Sequence, residues 1–166
     1  MVELILSSPL FPSGSIWRSS APSKMAFFTW EASWGKVLTL DQLQRRGHFL
    51  ANRCFLCLSE VETVDHLLLH CAKTRVLWNL LFSLFGVSWI LSCSVKETLL
   101  GWHGSFVGKA CQKAWQAAPL CIFWTKERNL LAFGNKEFLL QRLKNSFVCN
   151  LWSWSRVSVD LSHFLF

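Results

Sequence analysis

Four side chains of metal-ligand type crowd into one short stretch of this 166-residue chain, spaced Cys54-x2-Cys57-x8-His66-x4-Cys71. A Cys-x2-Cys turn sets two thiolates side by side, as two corners of a tetrahedron require. Zinc accepts thiolate sulfur and imidazole nitrogen, and structural sites fill all four positions from protein. A segment of this length has little core of its own, so a metal staple would decide its shape. The spacing predicts one structural Zn2+.

Spacing leaves the fourth donor open. His66 and His70 are four apart and share a face of a continuous helix, which gives a Cys2His2 set. His66 and Cys71 are five apart, roughly 140° round a regular helix. A set that uses Cys71 therefore needs the chain to leave regular helix between them. Against that, Leu67, Leu68, Val76, Leu77, Leu80, Leu81 and Leu84 recur at helical spacing and make Val64–Phe85 the clearest helix, ended by Gly86. Glu62 reads as a solvated turn residue, with a hydrogen bond to a metal-bound histidine as its less favoured role.

The other cysteines, Cys93, Cys111, Cys121 and Cys149, stand singly in apolar contexts and are expected in the core. Met1–Phe11 is apolar but carries Glu3 and lacks a basic start, so it does not read as a secretory signal. An intracellular, reducing compartment is expected, nucleus or cytoplasm, where clustered cysteines hold metal rather than disulfides.

The remaining pattern is helical. Lys24–Val37 is compatible with a helix or a strand. Thr39 or Asp41 caps a short helix to Arg46, stopped by Gly47. Ser94–Leu100 is a short helix, and Gly101, Gly104 and Gly108 mark a connection. Lys109–Phe133 is a helix interrupted or kinked near Pro119. Asn135 caps a last helix from Lys136 to about Ser153. The fold class is mostly α, a small helical domain with a zinc-stapled loop-helix segment. Residues 1–15 read as a tail, 16–90 as the metal-binding domain and 91–166 as a helical extension.

Hydrophobic residues make up 52% of the chain and charged ones 16%, with ten Trp and no Tyr. That is more apolar surface than a chain of this size readily buries, and self-association through it is expected. Val76–Val95 is free of charge and as long as a bilayer crossing. It also holds Asn79, Gly86 and four serines, with Trp78 and Trp89 inside it, so a buried helix is expected rather than a membrane span.

The net charge is +7, with basic segments on both sides of a near-neutral metal segment. This balance favours an acidic partner such as RNA or DNA, and Lys24, Arg45, Arg46 and Arg53 read either as phosphate contacts or as a solvated basic surface. Trp30 and Trp34 could stack on bases, but their spacing reads better as core. Enzymatic function is not expected. The only aspartates, Asp41, Asp65 and Asp160, are far apart in sequence, whereas two-metal nucleotidyl chemistry needs clustered carboxylates. His103 lacks a matching acid or nucleophile, and the glycines at 101, 104 and 108 do not form a phosphate loop.

Beyond the spacing, the chain resembles a known family. The ordered set Trp17, Pro22-x-Lys24, Phe28-Thr29-Trp30, Leu43-x-x-Arg46-Gly47, Cys54-x-x-Cys57, Glu62-x-x-x-His66-x-x-x-x-Cys71 and Trp78 is similar to the zinc-binding domain downstream of the polymerase in plant non-LTR retrotransposon reverse transcriptases. Many members carry the label putative ribonuclease H protein. Ala117–Leu120 and Phe123–Asn129 resemble later parts of the same reading frames, extending the likeness to about Trp154. The resemblance implies Cys54, Cys57, His66 and Cys71 as ligands, demotes His70, and so requires a break in the helix. It implies a non-catalytic module, here an orphan fragment, whose partner in the parent element is the polymerase region. One departure is a two-residue gap between Thr125 and Lys126, which puts the packing of the last helix in question.

Overall fold

The computed structural model describes residues 12–102, 107–130 and 136–155. Their regular structure is helical, with no strand among the described residues. The elements are α1 (Ser13–Trp17), α2 (Ser23–Ser33), α3 (Leu40–Arg45), a π turn (His66–His70), α4 (Ala72–Phe85), α5 (Val95–Gly101), a 3-10 turn (Lys109–Cys111), α6 (Gln112–Leu130) and α7 (Lys136–Ser155).

Local chemistry accounts for several of these boundaries. The Ser94 hydroxyl accepts the Glu97 N–H at 3.2 Å and starts α5, the first half of a Ser-x-x-Glu capping box. Gly86 takes a left-handed conformation (φ 62°) and ends α4, as Gly47 (φ 88°) does just past α3; only glycine adopts this without cost. Lys24–Val37 resolves as helix α2 running into a turn at Trp34. The expected Val64–Phe85 helix is not continuous. A regular stretch begins again only at Ala72, because Cys71 is extended (φ −55°, ψ 132°).

The core forms where α2, α4, α6 and α7 meet. Leu77, Trp78 and Leu81 line the inner face of α4, and Leu143, Phe147 and Leu151 form a stripe at helical spacing on α7. Cys121 reaches across from α6 to donate to the Phe147 carbonyl at 3.4 Å. The last helix therefore buries a continuous face despite the gap before Lys126. Tryptophan fills the centre. Trp102 and Trp115 stack with centroids 4.4 Å apart, Trp78 meets Trp102 edge-on at 5.5 Å, and Trp89 packs on both Trp102 and Trp115. Each such ring brings roughly 150–250 Å² of surface into the core. The cluster unites residues on both sides of position 90.

Pro119 lies inside α6, and the helix runs through it without interruption. Proline has no N–H to give the carbonyl four residues back, which is that of Trp115. The Trp102 indole N–H supplies the missing donor, at 2.9 Å from the Trp115 oxygen. A breaker is tolerated because a tertiary contact replaces the bond it deletes.

Of the isolated cysteines, Cys121 is buried and Cys111 half-buried, but Cys93 and Cys149 are exposed, contrary to expectation. Cys93 lies in the irregular link before α5. Cys149 is two residues from both Phe147 and Leu151, roughly 200° round α7 from the buried stripe. Among the described residues no helix is long and apolar enough to cross a membrane. His103, Gly104, Asn135, Asp160 and positions 1–11 lie outside the described residues.

Candidate metal centre

The site is assembled from a tight turn and a distorted helix. The Cys54 carbonyl accepts the Leu58 N–H at 2.8 Å, while the Cys54 N–H reaches the Glu60 carbonyl at 2.6 Å. These two bonds close a knuckle over residues 54–60. Closing it takes Leu58 into the left-handed region (φ 59°), at a cost of roughly 1–2 kcal/mol for a residue with a Cβ. The Thr63 hydroxyl then accepts the His66 N–H at 3.1 Å and starts the next turn.

That turn resolves the spacing problem. The Cys71 N–H bonds the His66 carbonyl at 2.6 Å, an i→i+5 closure. A π turn takes more residues per revolution than an α turn, so His66 and Cys71 approach one face instead of standing far apart round the axis. Leu67, Leu68 and Leu69 are buried between them. His70 is exposed and points elsewhere, with its Nε2 3.2 Å from the Cys93 carbonyl.

A π turn that stops abruptly leaves carbonyls without backbone donors. The Thr74 hydroxyl donates to the Leu67 carbonyl at 2.6 Å, and the Trp78 indole N–H to that of Leu68 at 3.0 Å. Both donors come from the first two turns of α4. The Trp78 that anchors the aromatic core thus also holds the metal-side turn.

The donor atoms of Cys54, Cys57, His66 and Cys71 all lie within 4.8 Å of one another. Cys54 Sγ is 4.0 Å from Cys71 Sγ, and Cys57 Sγ is 3.3 Å from His66 Nε2. The edges of a tetrahedral zinc site with sulfur and nitrogen ligands are roughly 3.6–3.8 Å. Cys54 and Cys71 are fully buried, and with Leu67 they form a small apolar cluster with Leu56 and Cys57 against it. The donor set therefore fits one structural Zn2+, closed on all four sides.

Thiol acidity differs across the cluster. The neighbouring Cys71 thiol, and then burial, push Cys54 well above the ordinary thiol range. Burial also pushes Cys57 up, but hydrogen bonds from Ser59, the backbone at Glu60 and Ser59, and His66 outweigh it and bring Cys57 down to about 7.

Glu62 is neither solvated nor bonded to the histidine. It is buried, and its two oxygens accept the N–H groups of Leu40 and Phe55, each at 3.2 Å. Its own N–H donates to the Asn52 Oδ1 at 2.8 Å. One carboxylate thus ties the start of α3 to the knuckle. Asp65 acts similarly at longer range, accepting the Val95 N–H at 2.8 Å where α5 begins. No periodicity marks Thr74 or Trp78 as parts of the site, because each serves a carbonyl exposed by the break at Cys71, and none marks Asp65, whose partner is the first N–H of α5.

The four basic residues divide into two places. Arg45 and Arg46 at the end of α3, and Arg53 beside Cys54, are exposed on the metal-side unit. There Gln44 bonds both Leu50 and Asn52, folding the loop back onto α3. Lys24 is exposed on α2, at a cleft of about 560 Å³ lined by Trp17, Phe27, Phe28, Glu31 and Trp124. Trp30 is half-buried against the core with Lys36 over its ring, and Trp34 is half-exposed with Lys96 over its ring.

Residues 8–78 match a protein family described as zinc-binding in reverse transcriptase. The match contains every donor of the cluster and ends at Trp78, so it spans less than half of the chain. No curated protein and no solved structure matches the chain.

Proposed function

We propose that the chain, whose residues 8–78 match the reverse-transcriptase zinc-binding family, is a non-catalytic, nucleic-acid-associated zinc module. Cys54, Cys57, His66 and Cys71 hold the ion, and Arg45, Arg46 and Arg53, with Lys24 apart from them, meet phosphate. The observation that carries the reading is that three exposed arginines sit on the same small unit that the four donors hold together. The scarcity of carboxylates supports a non-catalytic role. Asp41 is engaged by Thr39 and Arg45, and Asp65 by the start of α5.

Filter binding of the zinc-loaded chain to RNA and DNA across a salt series tests the proposal. Each phosphate contact releases counterions, so the affinity should fall steeply as salt rises. Binding that is indifferent to salt, or no binding at low salt, would overturn it.

The cleft beside α2 favours a second reading, a docking site for a protein segment. The apolar side chains of Trp17 and Phe27 are each 52% exposed there. It predicts self-association of the chain on its own; a monodisperse monomer at high concentration would count against it.

A further inference from the structure

The metal-side unit has an unusual surface. Residues 38–61 carry six exposed large apolar side chains, Leu38, Phe49, Leu50, Phe55, Leu58 and Val61. Two are aromatic and stand at the two ends of the loop that leads from α3 into the knuckle. Phe49 is fully exposed at 104%, and Phe55 is 52% exposed. Among the described residues neither ring is in contact with another ring or under a lysine, unlike Trp30 and Trp34, each of which has a lysine over it.

The charge around these rings is in basic excess, with three arginines against one carboxylate, Glu60, over residues 44–61. Of the carboxylates near in sequence, Glu62 is engaged by two backbone N–H groups and Asp41 by Thr39 and Arg45, which leaves Glu60 as the one open to solvent. Arg46 and Arg53 have no carboxylate partner among the described residues. Beside Phe49 runs a groove of about 480 Å³ lined by Gln44, Gly47, His48, Leu50 and Ala51. A phenyl face, two unpaired guanidinium groups and a groove with amide and imidazole edges match one ligand class. Base faces are available to a side chain only where the strand is unpaired. Aromatic stacking with a basic track alongside is how such strands are held without sequence preference.

We propose that this surface is a binding site for single-stranded nucleic acid, with bases stacked on Phe49 and Phe55 and phosphates on Arg46 and Arg53. The inference rests on the reading of the chain as nucleic-acid-associated and adds the strand state and the contacting residues. The backbone under Phe55 is fixed by Glu62 and by the knuckle, so that ring is presented from a rigid base.

The test uses the zinc-loaded full chain and fluorescence anisotropy with a short labelled oligothymidylate, an oligouridylate and a duplex of the same length, across a salt series. The wild-type chain should prefer the single strands. Phe49→Leu with Phe55→Leu keeps apolar bulk and removes stacking. It should weaken single-strand binding by roughly 5- to 150-fold per stacked base, with the salt slope unchanged. Arg46→Gln with Arg53→Gln should flatten the salt slope by roughly two phosphate contacts. The cobalt absorption of each variant checks that the metal site is intact. If the leucine variant binds like wild type, or the duplex competes equally, this inference falls while the broader reading stands. If the wild-type chain binds none of the three, both fall. A protein-docking surface would show that last pattern.

Discussion

At the scale of single residues, spacing leaves His70 and Cys71 as alternative fourth donors, and the structure differs between them in where it puts their side chains. His70 bonds the Cys93 carbonyl and Cys71 lies with the other three donors. Cobalt substitution checks this directly, because thiolate-to-metal bands count sulfurs. Cys71→Ser should lose one sulfur's intensity and His70→Ala should leave the bands unchanged; the reverse pattern would sink the ligand set. Acidity gives a second prediction. Metal binds thiolate, so any thiol still protonated must give up its proton. Cys54, held well above its ordinary range, is protonated through neutral pH, and Cys57 becomes so below about 7. Zinc affinity should therefore fall as pH drops and fall more steeply below pH 7, by about one further decade per pH unit for the added proton. Competition with a chelator from pH 6 to 8 would show it, and an unchanged slope would contradict it. The third prediction concerns Leu58. Its side chain is half-exposed, and its left-handed backbone is needed to close the knuckle. Leu58→Gly should raise stability by up to about 1 kcal/mol, since relief of the left-handed strain outweighs the entropy glycine adds to the unfolded chain. Thermal melts of the zinc-loaded forms measure it.

Among the elements, α6 and the π turn show how an irregularity is accommodated. Trp102→Phe removes the donor that replaces the one Pro119 lacks and should cost about 1–3 kcal/mol for an orphaned buried carbonyl. In a Pro119→Ala background the backbone regains an N–H at position 119 that can serve the Trp115 oxygen, so the same change should cost distinctly less. Equal costs in a double-mutant cycle would mean the indole bond is incidental. Most of the helices were legible in the sequence, but α1 begins inside the stretch read as a tail, and α2 was left open between helix and strand. Ser94, Gly47 and Gly86 are boundary residues with a mechanism, and the leucines of α4 declare its inner face. The break at Cys71 was not legible from periodicity, since Leu67 and Leu68 fit the same helical repeat as Leu77 and Leu81. It became a requirement only when the ligand pattern was placed beside that repeat. Its stabilisers, Thr74 and Trp78, were invisible for the same reason, because each looks like an ordinary core position of an unbroken helix. Glu62 misled because a carboxylate near a turn is normally solvated, and nothing local reveals the Leu40 and Phe55 donors that draw it inward.

Taken as one molecule, the chain has two apolar clusters of unequal strength. The larger joins α2, α4, α6 and α7 around the tryptophans, and the smaller consists of the buried cysteines with Leu67. The smaller buries Cys54, Leu67 and Cys71, little apolar surface to hold a fold by itself, so removing zinc should release residues 40–71 first. Hydrogen exchange after chelation should show early loss of protection at Phe55 and Cys71 while α6 and α7 stay protected. Simultaneous loss throughout would mean the ion supports the whole core.

The entry to α5 is gripped from the metal side at two points, Asp65 on the Val95 N–H and His70 against the Cys93 carbonyl. Coupling of this kind works in both directions. An allele that disturbs Ser94 or Val95, more than twenty residues from Cys71, would loosen the turn between His66 and Cys71. In a chelator titration of the purified chain it would therefore behave as a lesion of the metal site, although it touches no ligand.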